Sequence, residues 1–344
     1  MNIKCCCIIV VLFMLGCSKS TKKENNSGGT TPPVASADFI KGADISWLTQ
    51  MEAGGIKFYD SSGNQQDCIQ ILKGIGMNTI RLRVWVNPAD GWCNTDDLVA
   101  KAVRANAAGM KILVDFHYSD SWADPGQQTK PAAWASQDFN TLKQSLASHT
   151  SAVLSALKSK GITPAWVQVG NETNNGMLWP DGEASANMGN FAQLVNAGYN
   201  AVKAADTAIK VIVHISNGFD NNLFRWIFAG LKSNGAQWDI IGMSLYPSTT
   251  NWQSLNTQCL ANMNDMVTRY NTPVMIVESG MSWDAAPACD SFLTDLITKV
   301  KSISGSKGLG VFYWEPESYN NWQSYTLGAF DNSGKPTVAL NAFK

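Results

Sequence analysis

The chain has little charge and no excess of either sign. Charged residues make up 15% of its 344 residues, and 26 basic side chains are balanced by 27 acidic ones, which gives a formal net charge of −1. A protein that binds nucleic acid through its phosphates carries a basic surface, which this balance does not provide. We therefore expect no nucleic-acid partner.

Histidine, a common metal ligand, is also scarce. The three histidines, His117, His149 and His214, are scattered along the chain, and the cysteine spacing does not match a zinc pattern. A glycine-rich phosphate-binding turn is missing after the first predicted strand, which argues against a nucleotide-binding open sheet. We predict no metal and no cofactor.

The apolar run at the N terminus is too short to span a bilayer. Within "MNIKCCCIIVVLFMLGCSKS" it fits the apolar segment of an export signal, and "MLGC" resembles a lipobox, in which Cys17 is lipidated and becomes the mature N terminus. An ordinary signal peptide cut elsewhere is the alternative. The polar residues 18–37, rich in Gly, Ser, Thr and Pro, are typical of a disordered tether. The prediction is a lipoprotein signal peptide at 1–17, a tether at 18–37 and a folded domain at 38–344.

These N-terminal segments predict export. We expect a monomer that contacts the membrane only through its lipid and stays in the bacterial cell envelope, on either face of the membrane. Export also permits disulfides among the four remaining cysteines, Cys68, Cys93, Cys259 and Cys289, for which three pairings exist. We favour Cys68 with Cys93, because the first lies on the first predicted helix and the second on the next loop.

Tryptophan, in contrast, is plentiful. The chain has 13 tryptophans beside its low charge, a balance that suits a large core and aromatic surfaces for an uncharged ligand. Sugar rings are ligands of this kind, because their axial C–H faces pack on indole rings.

From Asp38 onward, short β-branched runs alternate with amphipathic segments. Two of these segments predict helices, one from Thr95, a plausible N-cap, to Gly109 and one from Phe139 to Gly161. Eight strands alternating with helices predict a parallel sheet, and eight repeats of the unit favour a single (β/α)₈ TIM barrel over an open sheet. The predicted strands are 39–46, 78–86, 111–118, 165–170, 210–216, 239–246, 273–279 and 308–315.

In such a barrel the active site lies at the C-terminal ends of the strands. Polar side chains collect there, and Glu172 and Glu278 close the fourth and seventh predicted strands. Glycosidic cleavage needs one carboxyl group to protonate the leaving oxygen and a second to attack or to activate water. Two carboxylates in these places point to that chemistry; the alternative for either is a rim carboxylate held by an arginine.

Several motifs carry a closer resemblance. "VQVGNET" and "IVESG" resemble the clan of retaining (β/α)₈ glycosidases. In order along the chain, "GADIS", "RLRVWVNP", "DFHYSDSWADPGQQTKPAAW", "VGNETNNGMLWP", "DIIGMSLYP" and "GVFYWEPE" resemble glycoside hydrolase family 53, the endo-β-1,4-galactanases. The resemblance covers nearly the whole mature chain, and the segment from His117 to Trp134 is its most specific part.

The resemblance implies a role for each matched residue. Glu172 becomes the general acid/base and Glu278 the nucleophile, while Asn171 holds the sugar 2-hydroxyl. Arg81 is expected to keep Glu278 ionised, so that Glu172 has the higher pKa of the two carboxyls. Arg83 shares the strand face of Arg81, and the sequence does not separate their roles.

Further residues of these motifs are candidates for substrate binding or for the core. Tyr246 is expected to donate a hydrogen bond to Glu278, Trp314 to form the floor beneath the sugar, and Trp179 to support a sugar further along the chain. Four more residues of the matched motifs fit either the cleft or the core: Asp44, Trp85, Trp122 and Asp124. His117 and His214 are expected to orient the substrate or the carboxylates, with a buried barrel histidine as the alternative for each.

The expected function is therefore retaining endo-hydrolysis of β-1,4-galactan, a side chain of pectin. A related glycanase acting on xylan or mannan remains an alternative. So does a non-catalytic, surface-tethered glycan-binding lipoprotein, which would keep the tryptophans while losing a glutamate.

Overall fold

Eight parallel strands close into a barrel in the order β1 to β8, with β8 pairing back onto β1. The computed structural model describes residues 38–344; the predicted signal peptide, Cys17 and the tether lie outside the described residues. The single (β/α)₈ barrel predicted from the sequence is confirmed. The strands are β1 Ile40–Asp44, β2 Thr79–Val84, β3 Lys111–Phe116, β4 Trp166–Val169, β5 Lys210–Ile215, β6 Ile240–Leu245, β7 Val274–Ser279 and β8 Gly308–Trp314.

Helices surround the barrel, and two of them lie between β1 and β2. They are α1 Leu48–Ala53, α2 Cys68–Ile75, α3 Thr95–Ala107, α4 Phe139–Ser159, α5 Ala184–Ala205, α6 Asn221–Ser233, α7 Trp252–Tyr270 and α8 Ala286–Lys301. None of the helices in residues 38–344 combines the length and the apolar character needed to cross a bilayer.

The predicted cap of α3 is wrong by one residue. Asn94, not Thr95, is the N-cap, because its side-chain oxygen accepts a hydrogen bond from the Asp97 main-chain N–H at 2.9 Å. Thr95 is already the first helical residue. At the start of α4, the Asp138 side chain accepts from the N–H groups of Asn140 and Thr141 in the same way.

Apolar side chains fill the lower part of the barrel and leave its C-terminal end to polar groups. The Phe312 ring occupies the space above Gly42, where a Cβ atom would lie 2.2 Å from it, so only glycine fits there. Above this layer, polar residues on β2 and on β4 alternate with the apolar ones and point into the barrel. The interior cluster contains Ile40, Leu113, Trp166, Ile212, Ile240, Met275, Val277 and Phe312.

The predicted Cys68–Cys93 disulfide is wrong. All four cysteines in residues 38–344 are buried free thiols. Cys68 opens α2 and packs in the core between the helices and the barrel, whereas the Cys93 thiol donates to the main-chain oxygen of Ser46 at 3.5 Å. The two thiols are thus engaged in different surroundings.

Candidate active site

A cavity of about 420 Å³ opens at the C-terminal ends of the strands. Its volume lies within the range usual for small-molecule sites. Of the residues predicted from the sequence, the structure brings eight to its wall, including both glutamates. These eight are His117, Trp122, Asp124, Asn171, Glu172, Tyr246, Glu278 and Trp314.

Glu278 lies on β7 beside a buried guanidinium. Its Oε1 is 2.9 Å from the Arg81 side chain, which also contacts Asp44 at 2.6 Å and Asp115 at 2.9 Å. Arg81, Asp44 and Asp115 have no solvent-exposed side-chain surface. One guanidinium therefore compensates three carboxylates, and Asp44 acts here as its buried partner, since it does not line the cavity.

The other oxygen of Glu278 accepts a hydrogen bond from Tyr246. The phenol oxygen lies 2.8 Å from Glu278 Oε2, which is the contact expected from the sequence. Burial and the negative charge of Glu278 raise the pKa of Tyr246 well above its usual value, so Tyr246 stays a donor at neutral pH. Glu278 is thus held from both sides by donors.

Glu172 follows β4 with a backbone that favours glycine. Its φ is 43°, and Gly170, two residues earlier, has φ 82°, so the chain turns sharply where the strand ends. The main-chain N–H of Glu172 donates to Nδ1 of His214 at 3.3 Å, and its carboxylate Oε1 accepts from the Ser244 hydroxyl at 2.6 Å. These contacts fix both ends of the residue in its strained conformation.

The two glutamates share their titration. Burial raises the pKa of Glu172 to about 6, and Ser244 opposes this rise by donating to the carboxylate. Burial also raises the pKa of Glu278 to about 8, because desolvation outweighs the attraction of Arg81 and the charge of Glu172 adds to the rise. The order expected from the sequence, with the higher pKa on Glu172, is reversed, because burial raises the pKa of Glu278 further. Coupled carboxyls titrate as a pair, so this pair holds one proton near neutral pH.

Asn171 has its amide orientation set by neighbours. Its Nδ2 donates to the Ala123 main-chain oxygen at 2.8 Å, which leaves Oδ1 to accept from Arg81 at 3.0 Å and from Gln168 at 3.1 Å. The main-chain oxygen of Asn171 accepts from Gln128 at 2.8 Å. The amide beside Glu172 is therefore held rigidly at the cavity wall.

Arg83 does not share the work of Arg81. Its guanidinium is ion-paired with Glu315, and it lies 4.5 Å from the centre of the Trp122 ring and 5.2 Å from that of Trp47. The structure thus separates two arginines that the sequence left together. Arg81 contacts Glu278, whereas Arg83 supports the tryptophans around the cavity, among them Trp314, whose ring centre is 5.9 Å away.

A second recess of about 310 Å³ shares Trp122 and Tyr325 with the cavity. Trp85 lines this recess rather than the cavity and meets Trp122 edge-on. Trp179 lines neither of them, and its indole N–H donates to the main-chain oxygen of Asn175 at 2.9 Å. Its role as a support for a more distant sugar stays a prediction.

The two predicted histidines differ in depth. His117 lines the cavity, with Nε2 3.0 Å from Asp115, while its Nδ1 accepts from the Trp85 indole and the Ala123 N–H. His214 is fully buried behind Glu172 and does not reach the cavity. Asp124 lies at the cavity rim, where it accepts from the Gly126 N–H at 2.7 Å.

Sequence reasoning missed several residues of the site, among them Asp115, Gln168, Ser244 and Tyr325. The first two have a visible signal, since a polar residue interrupts an apolar strand in "ILVDF" and "WVQV". Ser244 is a small residue within "GMSLY" and carries no such signal. Tyr325 comes from a loop after β8 that has no periodic pattern.

Candidate metal ligands do not cluster in this part of the chain. Within residues 38–344, no group of three or more His, Cys, Asp or Glu side chains is arranged to hold a metal ion. Arg81 instead pairs with Glu278, and Arg83 pairs with Glu315.

Comparison with known proteins places this geometry in a family. The sequence model of glycosyl hydrolase family 53 matches residues 40–291 and 285–343. An arabinogalactan endo-β-1,4-galactanase of Thermothelomyces thermophilus is 33% identical over 88% of this chain and 98% of its own.

Two solved structures share both fold and sequence with the chain. A fungal β-1,4-galactanase superposes with a TM-score of 0.81 at 32% identity, covering 88% of this chain and 98% of that one. The family 53 catalytic domain of Ignisphaera aggregans gives 0.82 at 30% identity, covering 91% and 97%. With the family model spanning nearly all of the described barrel, the chain belongs to glycosyl hydrolase family 53 and is a glycoside hydrolase.

Proposed function

We propose that this glycoside hydrolase cleaves internal bonds of β-1,4-galactan with retention of configuration, using Glu172 as acid/base and Glu278 as nucleophile. The observation that carries the proposal is the placement of two carboxyls on one cavity wall with unequal donors. Glu278 receives the Arg81 guanidinium and the Tyr246 hydroxyl, whereas Glu172 receives only the Ser244 hydroxyl among the described residues.

In the first step Glu278 attacks the anomeric carbon while Glu172 protonates the departing oxygen. The pair must then carry one proton, on Glu172. The ion pair with Arg81 and the hydrogen bond from Tyr246 favour the negative charge on Glu278. A glycosidic oxygen that accepts from Glu172 favours the proton there, so bound substrate selects the reactive arrangement.

In the second step the glycosyl-enzyme is hydrolysed. Glu172, now ionised, removes a proton from the attacking water, and Glu278 is the leaving group. Asn171 lies beside Glu172 with a fixed amide, which suits a contact to the sugar 2-hydroxyl that strengthens in the transition state. Trp314 and Trp122 offer apolar faces for the sugar rings.

Galactan as the substrate has two supports. Several relatives that match over most of their length are named arabinogalactan endo-β-1,4-galactanase or probable arabinogalactan endo-β-1,4-galactanase. Among the described residues that line the cavity there is no Lys or Arg, which suits a neutral chain rather than the acidic backbone of pectin.

Export and anchoring form a separate part of the proposal. The run ending in "MLGC" supports lipidation at Cys17, with the barrel attached to the cell envelope through residues 18–37. Expression in a bacterium fed a radiolabelled fatty acid should label the wild-type protein and leave Cys17→Ala unlabelled. Labelling of both proteins, or of neither, would contradict lipidation at Cys17.

The function is tested with a panel of galactan, xylan and mannan. The wild-type protein should release oligosaccharides from galactan, and Glu278→Gln should abolish release while retaining ligand binding. Glu52→Gln, which changes a glutamate on α1 that does not line the cavity, is the matched control and should act as the wild type. Release mainly from xylan or mannan would overturn the substrate. Binding of galactan without release by a correctly folded wild-type protein would overturn the enzyme.

A further inference from the structure

A ring of three hydrogen bonds surrounds the carboxyl group of Glu172. The main-chain N–H of Glu172 donates to Nδ1 of His214 at 3.3 Å, Nε2 of His214 lies 2.7 Å from the Ser244 hydroxyl, and that hydroxyl lies 2.6 Å from Glu172 Oε1. The ring starts and ends on the same residue. It joins the ends of β4, β5 and β6.

The direction of each hydrogen bond follows from the position of the imidazole proton of His214. Its Nδ1 faces two donors, the Glu172 main-chain N–H at 3.3 Å and the Gln168 amide nitrogen at 3.0 Å. It also lies 3.0 Å from Asn171 Oδ1, an acceptor that already receives hydrogen bonds from Arg81 and Gln168. This balance makes Nδ1 the acceptor and leaves the imidazole proton on Nε2. Burial and the nearby charge of Arg81 lower the pKa of His214 well below its usual value, which keeps the ring neutral with a single proton. Nε2 therefore donates to Ser244. Because the serine has one proton, it directs that proton to Glu172 Oε1.

We propose that Ser244, oriented by His214, is a positioning residue that reserves Oε1 of Glu172 as an acceptor and confines the catalytic proton to Oε2. The inference rests on the proposed role of Glu172 as acid/base and adds the identity of the oxygen that carries the proton. No other described side chain donates to this carboxylate. Without the serine, either oxygen is free to hold the proton, and one of the two arrangements is unproductive.

The position of Ser244 supports this assignment. Ser244 is 1% exposed and pairs in register with Glu278 on the neighbouring strand, while its hydroxyl contacts Glu172. It therefore lies between the two carboxyls but acts neither as the acid/base nor as the nucleophile. Its donated hydrogen bond also lowers the pKa of Glu172. The other titratable or charged groups that face Glu172 are Arg81 on β2, Asp115 on β3, Asp124 in the following loop, His214 on β5, Tyr246 on β6 and Glu278 on β7.

The test compares two substrates on Ser244→Ala. Cleavage of galactan expels a sugar hydroxyl, a poor leaving group that needs the acid, whereas cleavage of a 2,4-dinitrophenyl β-galactobioside expels dinitrophenolate, which departs without protonation. We expect kcat/KM for galactan to fall roughly ten- to a hundredfold, the range for a hydrogen bond to a charged group. For the dinitrophenyl substrate kcat/KM should stay close to the wild-type value. The alkaline limb for galactan should also move to higher pH, because the lost donor had lowered the pKa of Glu172.

Ser279→Ala is the matched control. Ser279 is an equally buried serine on β7, but its hydroxyl donates to the main-chain oxygen of Phe312 at 2.7 Å. This variant should leave the substrate ratio and the pH limb of the wild type unchanged. Ser244→Thr keeps a hydroxyl and should restore part of the loss on galactan.

If Ser244→Ala lowered kcat/KM equally on both substrates, the serine would have a merely structural role and the proposal would be overturned. An unchanged kcat/KM on galactan would overturn it as well. Failure of the proposed function is distinguishable, because the wild-type protein would then cleave neither galactan nor the galactobioside.

Discussion

Replacing Arg81 with methionine should both destabilise the barrel and disable Glu278. The side chain is fully buried and contacts Asp44, Asp115 and Glu278 at 2.6 to 2.9 Å. Removing one partner of a buried ion pair costs about 3–5 kcal/mol. An unfolding entropy of about 2.1 cal/mol/K per residue over about 300 residues converts this cost into a decrease in Tm of about 5–8 °C.

The matched substitution is Arg104→Met. Arg104 also contacts two carboxylates, Glu52 and Asp67, both at 2.7 Å, but its side chain is 30% exposed. Exposed ion pairs contribute about 1 kcal/mol or less, so its Tm should fall by no more than about 2 °C. The contrast tests burial together with the number of partners, because Arg81 contacts three carboxylates and two amide oxygens, whereas Arg104 contacts two carboxylates.

Arg81→Met should also lose activity, because Glu278 loses the cation that favours its ionised form. Arg81 lowers the pKa of Glu278 against the effect of burial, so without it that pKa rises further. Less Glu278 is ionised at neutral pH, and the acidic limb of the pH–rate profile moves to higher pH. Calorimetry and rates on galactan from pH 5 to about 9 check both effects. A Tm equal to that of Arg104→Met, or an acidic limb at its wild-type position, would refute the reasoning.

Three further substitutions have expected outcomes. Tyr246→Phe removes a donor from Glu278, and kcat/KM on galactan should fall roughly ten- to a hundredfold; an unchanged value would exclude a role for this hydrogen bond. Neither carboxyl oxygen of the buried Glu317 accepts a hydrogen bond from the described residues, and burial beside Glu315 raises its pKa well above 4.5. Its folded form keeps a proton that the unfolded chain loses, so stability falls as pH rises above about 4.5. Glu317→Gln should therefore raise Tm at neutral and alkaline pH but not at pH 4, and parallel Tm curves would contradict this. Burial lowers the pKa of His149 to about 4, so the wild type loses stability between about pH 6.5 and 4; His149→Leu should flatten that part of the curve, which thermal melts across this range would show.

The barrel and its two glutamates were predictable because both depend on order along the chain. Eight β-branched runs mark the strands, and a residue at the end of a run must lie at the barrel mouth. Glu172 and Glu278 line one cavity, and predicting this required no information about the side chains around them.

Contacts across the barrel were not predictable in this way. Arg81 and Arg83 share a strand face, but Arg83 pairs with Glu315 and lies among four tryptophans that come from separate parts of the chain. The ring of hydrogen bonds through Ser244 joins the ends of β4, β5 and β6, and the sequence does not give the register between these strands. The pKa order of the two glutamates was not predictable for a similar reason. The sequence indicates that Arg81 is present near Glu278, but not that burial of Glu278 outweighs the effect of that charge.

The central claim is double displacement by Glu172 and Glu278, and the anomeric configuration of the product tests it most directly. Proton NMR should follow the hydrolysis of a β-1,4-galactan oligosaccharide from the first seconds. Retention predicts that the new reducing end appears first as the β anomer and then mutarotates. First appearance of the α anomer would show inversion and would contradict a nucleophilic Glu278.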